Sequence, residues 1–452
     1  IPFWEQDQSF MGGAQPAGAT PAGYYQGGGY DSVVPGPPTA PPGAGFNPYA
    51  QPNPYAQPNP YSNAAFQQPG PQGPPLPNDL FVPDQNIIPR DDPDDRVLGR
   101  ILEHIFHDSY ITIEGMHYNL DSPGNVTLGT PPLNTVQGFN DPNNFINPTT
   151  FIPLFTGGPG ITFAGVQPDL SSVRLNDTNG IKGVWGGNTD FGAVEASLWT
   201  LEQNSNTTFA NDMGNLVIVF DPTVGIAQVP IAYATLTNLN GQPSTNAFIW
   251  DVSYQSEYQN ETWGTGLSFL FDHGQWAEGM EFQILGGIDL LSISEELNQT
   301  GVSSAGNTGR INSETRNHIW GPTLGARLTF DIKERIKFGI EPKVMLGINN
   351  YKESVSTSQL RTVNDPFTTV ANRDHDLSPV LSISAYAKVR VNEYLWLTAG
   401  YDATWVTRIT RASNVVNYND NGAGNPPALG LSGSLNGFSM NGVRVGGEIE
   451  LW

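Results

Sequence analysis

Cysteine is absent from the 452 residues, which excludes disulfides, thiol nucleophiles and thiolate metal sites. No stretch approaches the ~18 consecutive apolar residues of a membrane-spanning helix, so residence in a membrane would have to be by strands. Charge is sparse and mostly of one sign. Only 14% of residues are charged, and 20 Lys and Arg against 43 Asp and Glu leave a net charge of -23. Nucleic acid as a partner is excluded by that balance, since its phosphates need clustered Lys and Arg. The same balance opposes docking onto anionic lipid headgroups. No Gly-rich motif is followed by the Lys of a phosphate loop, because Gly27-Gly28-Gly29 lies in Pro-rich sequence, and no cofactor is expected. An initiator Met is missing at Ile1, so a mature chain freed of its signal peptide is expected.

What is present favours strands and turns: 51 Gly, 38 Pro and 11% aromatics. A soluble, loop-rich β protein is the competing reading of that composition. The clearest segment runs from Leu377 to Thr410. Leu381, Ile383, Ala385, Ala387, Val389 and Val391 alternate with Ser382, Ser384, Tyr386, Lys388 and Arg390, and the pattern restarts at Leu395 after Asn392-Glu393-Tyr394. Strict period two over a dozen residues is strand. Globular strands usually stop at about five or six residues, whereas a tilted strand needs roughly nine to eleven to cross a bilayer.

Three regions follow from composition. Residues 1–93 hold 21 of the 38 prolines and no Lys. A six-residue repeat places Tyr49, Tyr55 and Tyr61 on one face of a polyproline-like helix. Such a segment is a flexible tether or, the reading preferred here, an arm lying against a neighbouring chain. Residues 94–107 read as an amphipathic helix with a stripe of Ile101, Leu102, Ile105 and Phe106, its start marked by Asp91, Asp92, Asp94 and Asp95. His104 and His107 lie one turn apart on it, but nothing completes a metal site.

Residues 108–452 carry ten strand candidates: Ser109–Asn119, Gly180–Asn188, Phe191–Gln203, Asn246–Asp272, Met280–Ile293, Arg316–Ile332, Ile336–Asn349, Leu377–Val391, Leu395–Thr410 and Phe438–Trp452. In Asn246–Asp272 the apolar parity changes, which suggests one strand with a bulge near Asn260. A further pair around Phe151–Val166 would raise the count to twelve. Pro342 interrupts a clean strand and should mark a bulge or distortion. Short joints alternate with long connections, the pattern of an outer-membrane barrel. The expected fold is therefore all-β, a closed antiparallel up-and-down transmembrane barrel.

Parity assigns Asp251, Glu281, Asp289, Arg327, Lys337, Glu341, Lys343, Lys388, Arg390, Asp402, Arg444, Glu448 and Glu450 to the lumen. It assigns Leu328, Phe330, Phe338, Ile340, Val344, Leu346, Leu381, Ile383, Val389, Leu395, Leu397, Val443, Val445 and Ile449 to lipid. At the end of the chain Glu448 and Glu450 occupy positions where a barrel-insertion signal usually has apolar residues, leaving Trp452 for the rim.

Two stretches carry a family resemblance: Gly286-Gly287-Ile288-Asp289-Leu290-Leu291-Ser292-Ile293, and Thr315-Arg316-Asn317-His318-Ile319-Trp320-Gly321-Pro322-Thr323-Leu324-Gly325. With Leu397-Thr398-Ala399-Gly400-Tyr401-Asp402 they resemble the planctomycete outer-membrane barrels of the seventh "beta-barrel porin" family. The resemblance implies a bacterial outer-membrane barrel and supplies no catalytic residue.

Three functions compete. A ten-stranded pore would be narrow, since eight strands are already filled by side chains and open porins use sixteen to eighteen. A structural subunit would use residues 1–107 to contact copies of itself or other envelope proteins; this is the preferred reading. An enzyme is disfavoured: His117, His273, His318 and His375 lie in or near strands without a nucleophile at a readable spacing.

Overall fold

Alternating apolar and polar residues become the two faces of a closed wall. The structure, a computed structural model, describes residues 109–131, 137–138, 151–156, 162–189, 192–221, 225–277, 279–422, 425–427 and 429–451. The Pro-rich segment with Tyr49, Tyr55 and Tyr61, the stretch with Ile101, Leu102, Ile105 and Phe106 expected to be a helix, and Trp452 lie outside them.

Ten antiparallel strands form the wall: β1 (Ser109–Leu120), β2 (Thr178–Thr189), β3 (Gly192–Leu201), β4 (Ser253–Ala277), β5 (Met280–Val302), β6 (Thr308–Ile332), β7 (Ile336–Met345), β8 (Val380–Arg390), β9 (Leu395–Ile409) and β10 (Asn436–Leu451). Each pairs with its successor, and β1 pairs with β10 from Ser109 opposite Leu451 to Leu120 opposite Met440, so the sheet has no free edge in the membrane. Three strands are prolonged outward. Asn204–Phe209 continues β3 along β4, Ile348–Ser358 continues β7 along β6, and Thr368–Leu377 leads into β8 while pairing with Ile348–Ser358.

Short joints share one rim with both barrel ends, and residue type explains their tightness. Lys333 and Glu334 both take positive φ, as a two-residue turn of matching twist requires. At the β8–β9 joint the Asn392 side chain accepts from the backbone N–H of Tyr394 and of Leu395, both at 2.9 Å. The long connections all leave from the opposite rim, called the outer rim below.

Those connections fold into a second sheet. Phe151–Thr156, Thr162–Val166, Leu216–Asp221, Gly225–Leu239, Gln242–Trp250, Gln137–Gly138 and Asn419–Asp420 come from three different barrel connections and join around Gly225–Leu239. Two expectations are corrected here. The Phe151–Val166 pair exists, but it belongs to this second sheet, and the barrel keeps ten strands. Asn246–Asp272 is two elements, because Gln242–Trp250 pairs with Gly225–Leu239 whereas β4 starts at Ser253.

β4 itself carries no extra residue near Asn260, since its register with β5 runs unbroken from Ser253 opposite Val302 to Asp272 opposite Gln283; the one-residue shift at Asn260 is on its other side, with the extra residue between Thr200 and Asn204 of the neighbouring strand. The parity changes because the surroundings change. Tyr254 and Tyr258 are buried inside the outer part of the barrel, whereas Leu267, Phe269 and Phe271 are exposed on the outer face of the inner part. Pro342 keeps register with Ile383 of β8, and its effect is confined to the β6 side, where pairing skips from Gly325–Lys343 to Leu328–Ile340. One ladder donor is lost without an inserted residue.

The exterior carries an apolar belt. Phe330, Phe338, Ile340, Val344, Leu346, Leu381, Val389, Leu397, Val443, Val445 and Ile449 are exposed on it, with Leu324 66% and Val445 63% accessible. Leu328, Ile383 and Leu395 are half-buried on the same face. Side chains this large and apolar at such exposure need a hydrocarbon environment, and the belt supplies a barrel's lipid contact.

Candidate functional site

Inward-facing positions of the ten strands converge on the lumen, and the network there is layered. At the short-turn rim Lys337 and Arg390 sit over the Trp396 ring at 4.9 and 5.7 Å, and the indole Nε1 donates to Glu450 at 3.0 Å. Glu281 is exposed at this rim, opposite Thr329.

One level deeper, Arg327 of β6 donates through both terminal nitrogens to the two oxygens of Glu195 on β3, each at 2.7 Å, and through Nε to Glu341 at 2.5 Å. Lys343 holds the other oxygen of Glu341 at 2.6 Å. The Tyr110 hydroxyl donates to Glu195. Lys388 stands over the Tyr110 and Tyr386 rings and pairs with Glu448 at 2.6 Å. β3 and β6 are separated by two strands, so the Arg327–Glu195 pair crosses the interior instead of running along the wall.

A third layer centres on Arg444. Its Nη1 lies 2.5 Å from Glu114 and its Nε 3.1 Å from Asp402, while Nη2 donates to Ser384 at 2.9 Å. Tyr118 donates to Asp402 at 2.6 Å and Thr398 to Glu114 at 2.9 Å. Asp289 accepts from Thr323 at 2.8 Å. What remains between these groups is a cavity of about 220 Å³ lined by Lys182, Glu195, Asp289, Arg327, Asp402 and Arg444 among others.

Toward the outside the lumen turns apolar. Tyr254, Tyr258, Leu291, Ile293, Ile319, Val406 and Phe438 form one buried cluster with Leu128, Leu170, Leu175 and Trp250 of the long connections. The segment after β9 is drawn into this mouth. Thr410 and Ala412 are fully buried, Asn317 exchanges hydrogen bonds with the Thr410 backbone at 2.8 and 3.0 Å, and Ser313 donates to the Ala412 carbonyl at 2.7 Å. Arg411 follows them in, held by Glu295 at 2.9 Å and Asp121 at 2.7 Å.

Of the lumen assignments, Asp251 lies elsewhere: it sits in the link between Trp250 and Ser253, accepting from the Ser304 N–H at 2.6 Å. Tyr110, Glu114, Lys182, Glu195 and Trp396 were missed. Glu114 was readable from the Ile111–Thr112–Ile113–Glu114 alternation, whereas Lys182 sits in a Gly-rich strand with little apolar contrast.

A Ser–His pair does occur, on the outer wall. Ser292 and His318 are cross-strand neighbours with Oγ and Nδ1 3.1 Å apart. Ser292 is only 2% exposed, and the surrounding strand N–H groups serve the β ladder, leaving no donors for an oxyanion. Among the described residues no carboxylate hydrogen-bonds His318, and no group of His and acids is arranged to hold a metal.

The family model described as "Putative beta barrel porin-7" matches residues 169–450. No curated protein matches the chain. Among solved structures, the chain is similar to the outer membrane protease OmpT from Escherichia coli, with 10% identity, 77% of this chain and 97% of that one covered and a TM-score of 0.37. It is also similar to the Pseudomonas putida toluene transporter TodX, with 10% identity, 76% and 90% coverage and a TM-score of 0.23. A Pseudomonas aeruginosa FadL homologue gives 9% identity, the same coverages and a TM-score of 0.21. None of these likenesses bears on activity.

Proposed function

The chain belongs to the beta barrel porin-7 family, and from that premise we propose that it is a structural subunit of an outer-membrane assembly, a barrel that anchors instead of conducting. The observation that carries this reading is the transverse Arg327–Glu195–Tyr110 connection with its Glu341 and Lys388 flanks. An open channel keeps its wall charges solvated along a continuous water path. Here opposite charges are matched with one another across the bore, and the outer mouth is filled by residues 409–416 and an apolar cluster. Ten strands suit this packing, since their interior is little wider than side chains can fill.

In this reading the barrel fixes position, the second sheet forms the outer surface, and residues 1–107 contact neighbouring copies or other envelope proteins. The test uses the purified full chain and a deletion of residues 1–93. The full chain should give no conductance steps in planar bilayers and should migrate as an oligomer on a native gel, with the oligomer lost on deletion. Regular conductance steps from the full chain would favour a passive channel for small solutes. A monomer in both cases would overturn the assembly role.

A further inference from the structure

The lumen accounts for much of the cationic charge, and one cluster of cations lies outside it. Among the described residues, the Lys and Arg at outward positions of regular barrel strands and their extensions are Arg310, Arg316, Lys352 and Arg373. Arg408 stands at the β9 register shift, where Asp376 holds it. In a chain of net charge -23, the four fall on three adjacent elements, β6, Ile348–Ser358 and Thr368–Leu377.

Register aligns three of them. Arg316 is opposite Lys352, and Lys352 is opposite Arg373, so they form one lateral row on one face. Strands lie about 4.8 Å apart, which places the three backbone positions within roughly 10 Å. All three side chains are exposed. Arg316 shares its charge with Glu314 at 2.6 Å, whereas Lys352 and Arg373 have no ion-pair partner among the described residues. The nearby Asp374 contacts His375.

The row beneath, nearer the membrane, is His318, Asn350 and His375, all exposed groups able to hydrogen-bond. Beneath that comes Trp320, Ile348 and Leu377, the upper margin of the apolar belt, 41–55% accessible. Each step down a face is about 7 Å along the strand. Long cationic side chains can bend across that distance toward an interface. The order cation, hydrogen-bonding group, aromatic and aliphatic side chain matches an amphiphile standing upright against the wall, headgroup outward and chains downward.

We propose that this sector of the outer wall is a binding site for the phosphate-bearing headgroup of a lipid in the outward-facing leaflet. Arg316 and Arg373 can each present a guanidinium fork to phosphate oxygens, with Lys352 as a point charge between them. The global charge opposes anionic lipid everywhere else. In the same row two strands away on β4 stands Glu261 instead, with Glu296 of β5 one row further out opposite Glu314, so the sector is defined by contrast as well as by attraction. This inference rests on the barrel lying in a membrane, not on whether its lumen conducts.

The experiment is native mass spectrometry of the full chain in neutral detergent with equal concentrations of lipid A or phosphatidylcholine. The variants are R316Q/K352Q/R373Q, the milder single change K352E, and R310Q as control. Unfolding is scored separately by the heat-dependent gel shift of the intact barrel. Wild type and R310Q should retain lipid A at least tenfold over phosphatidylcholine, with the triple variant losing that preference and K352E weakening it severalfold. Equal retention by wild type and a folded triple or K352E variant overturns the proposal. Equal retention of the two lipids by wild type also overturns it. Displacement of lipid A by an equal concentration of inorganic phosphate would mark a free-ion site and overturn the lipid assignment.

Discussion

Arg327 and Glu195 meet across the lumen from strands that are not neighbours, in a two-pronged contact at 2.7 Å on both sides. Replacing Arg327 with Leu leaves Glu195 and Glu341 without their shared counter-charge. Breaking a buried pair in this way typically costs about 3–5 kcal/mol. The expected outcome is a lower urea midpoint for the refolded barrel, followed by its gel shift. R327L/E195Q, which removes both charges of the crossing pair and leaves Glu341 with Lys343, should recover most of the loss.

Asn317 ties residues 409–416 to the wall, and its side chain also accepts from Asn349 at 3.0 Å. In Asn317→Ala several buried polar groups lose partners, at about 1–3 kcal/mol each. Faster hydrogen exchange at Thr410–Ala412, with the membrane strands unchanged, is the expected result.

Glu353 lies inside the outer extension, 1% exposed and with one carboxylate oxygen lacking a hydrogen bond among the described residues. Burial raises its pKa, a hydrogen bond from Asn372 opposes this, and the Asp374 charge adds to the rise. A carboxyl raised in the folded state favours the protonated form, so ionisation costs stability once the pH exceeds the unfolded value. Glu353→Gln should therefore stabilise the protein at pH 7. The gain should vanish as the pH falls below about 4.3, the usual Glu value. Paired urea titrations across pH 3–8 check both sign and window.

Val445 stands near the middle of the exterior belt, between Gly115 of β1 and Ala399 of β9. Val445→Arg should cost about 2–4 kcal/mol in a lipid bilayer, the usual penalty at midplane. Little loss in bilayer-based refolding would place this face away from lipid.

Trp250 joins the second sheet to the barrel. A Cβ added at Gly301 or Gly309 would come within 2.3 or 2.2 Å of its ring. Gly309→Ala should expel the indole at a cost of about 1–3 kcal/mol, the usual range for overpacking. A red shift in tryptophan emission and faster proteolysis of residues 210–252 are expected.

The wall of the barrel was legible because lipid on one side and packed charge on the other impose opposite chemistry on alternate residues, as in Leu381–Arg390. Legibility failed where that contrast fails. In Leu216-Val217-Ile218-Val219-Phe220 the apolar run is continuous and carries no parity, so the second sheet read as a loop. In β4 a change of surroundings, from packed interior to lipid, imitated a bulge. Sequence gave the lumen residues their parity but not their partners, because Arg327 and Glu195 are 132 positions apart and separated by two strands. The Arg316–Lys352–Arg373 row was hidden for a similar reason, since only register across three elements brings it together.

β4, β5 and β6 run 25, 23 and 25 residues, β5 and β6 paired without a break and β4 with β5 from Ser253 to Asp272, about twice the nine to eleven that cross a bilayer. Their projecting halves are prolongations of the membrane-embedded part without a hinge between them. Any lean that the bilayer imposes on the body is thus passed undiminished to the mast above it, and whatever rests on that flank will sway with the host membrane's thickness and curvature.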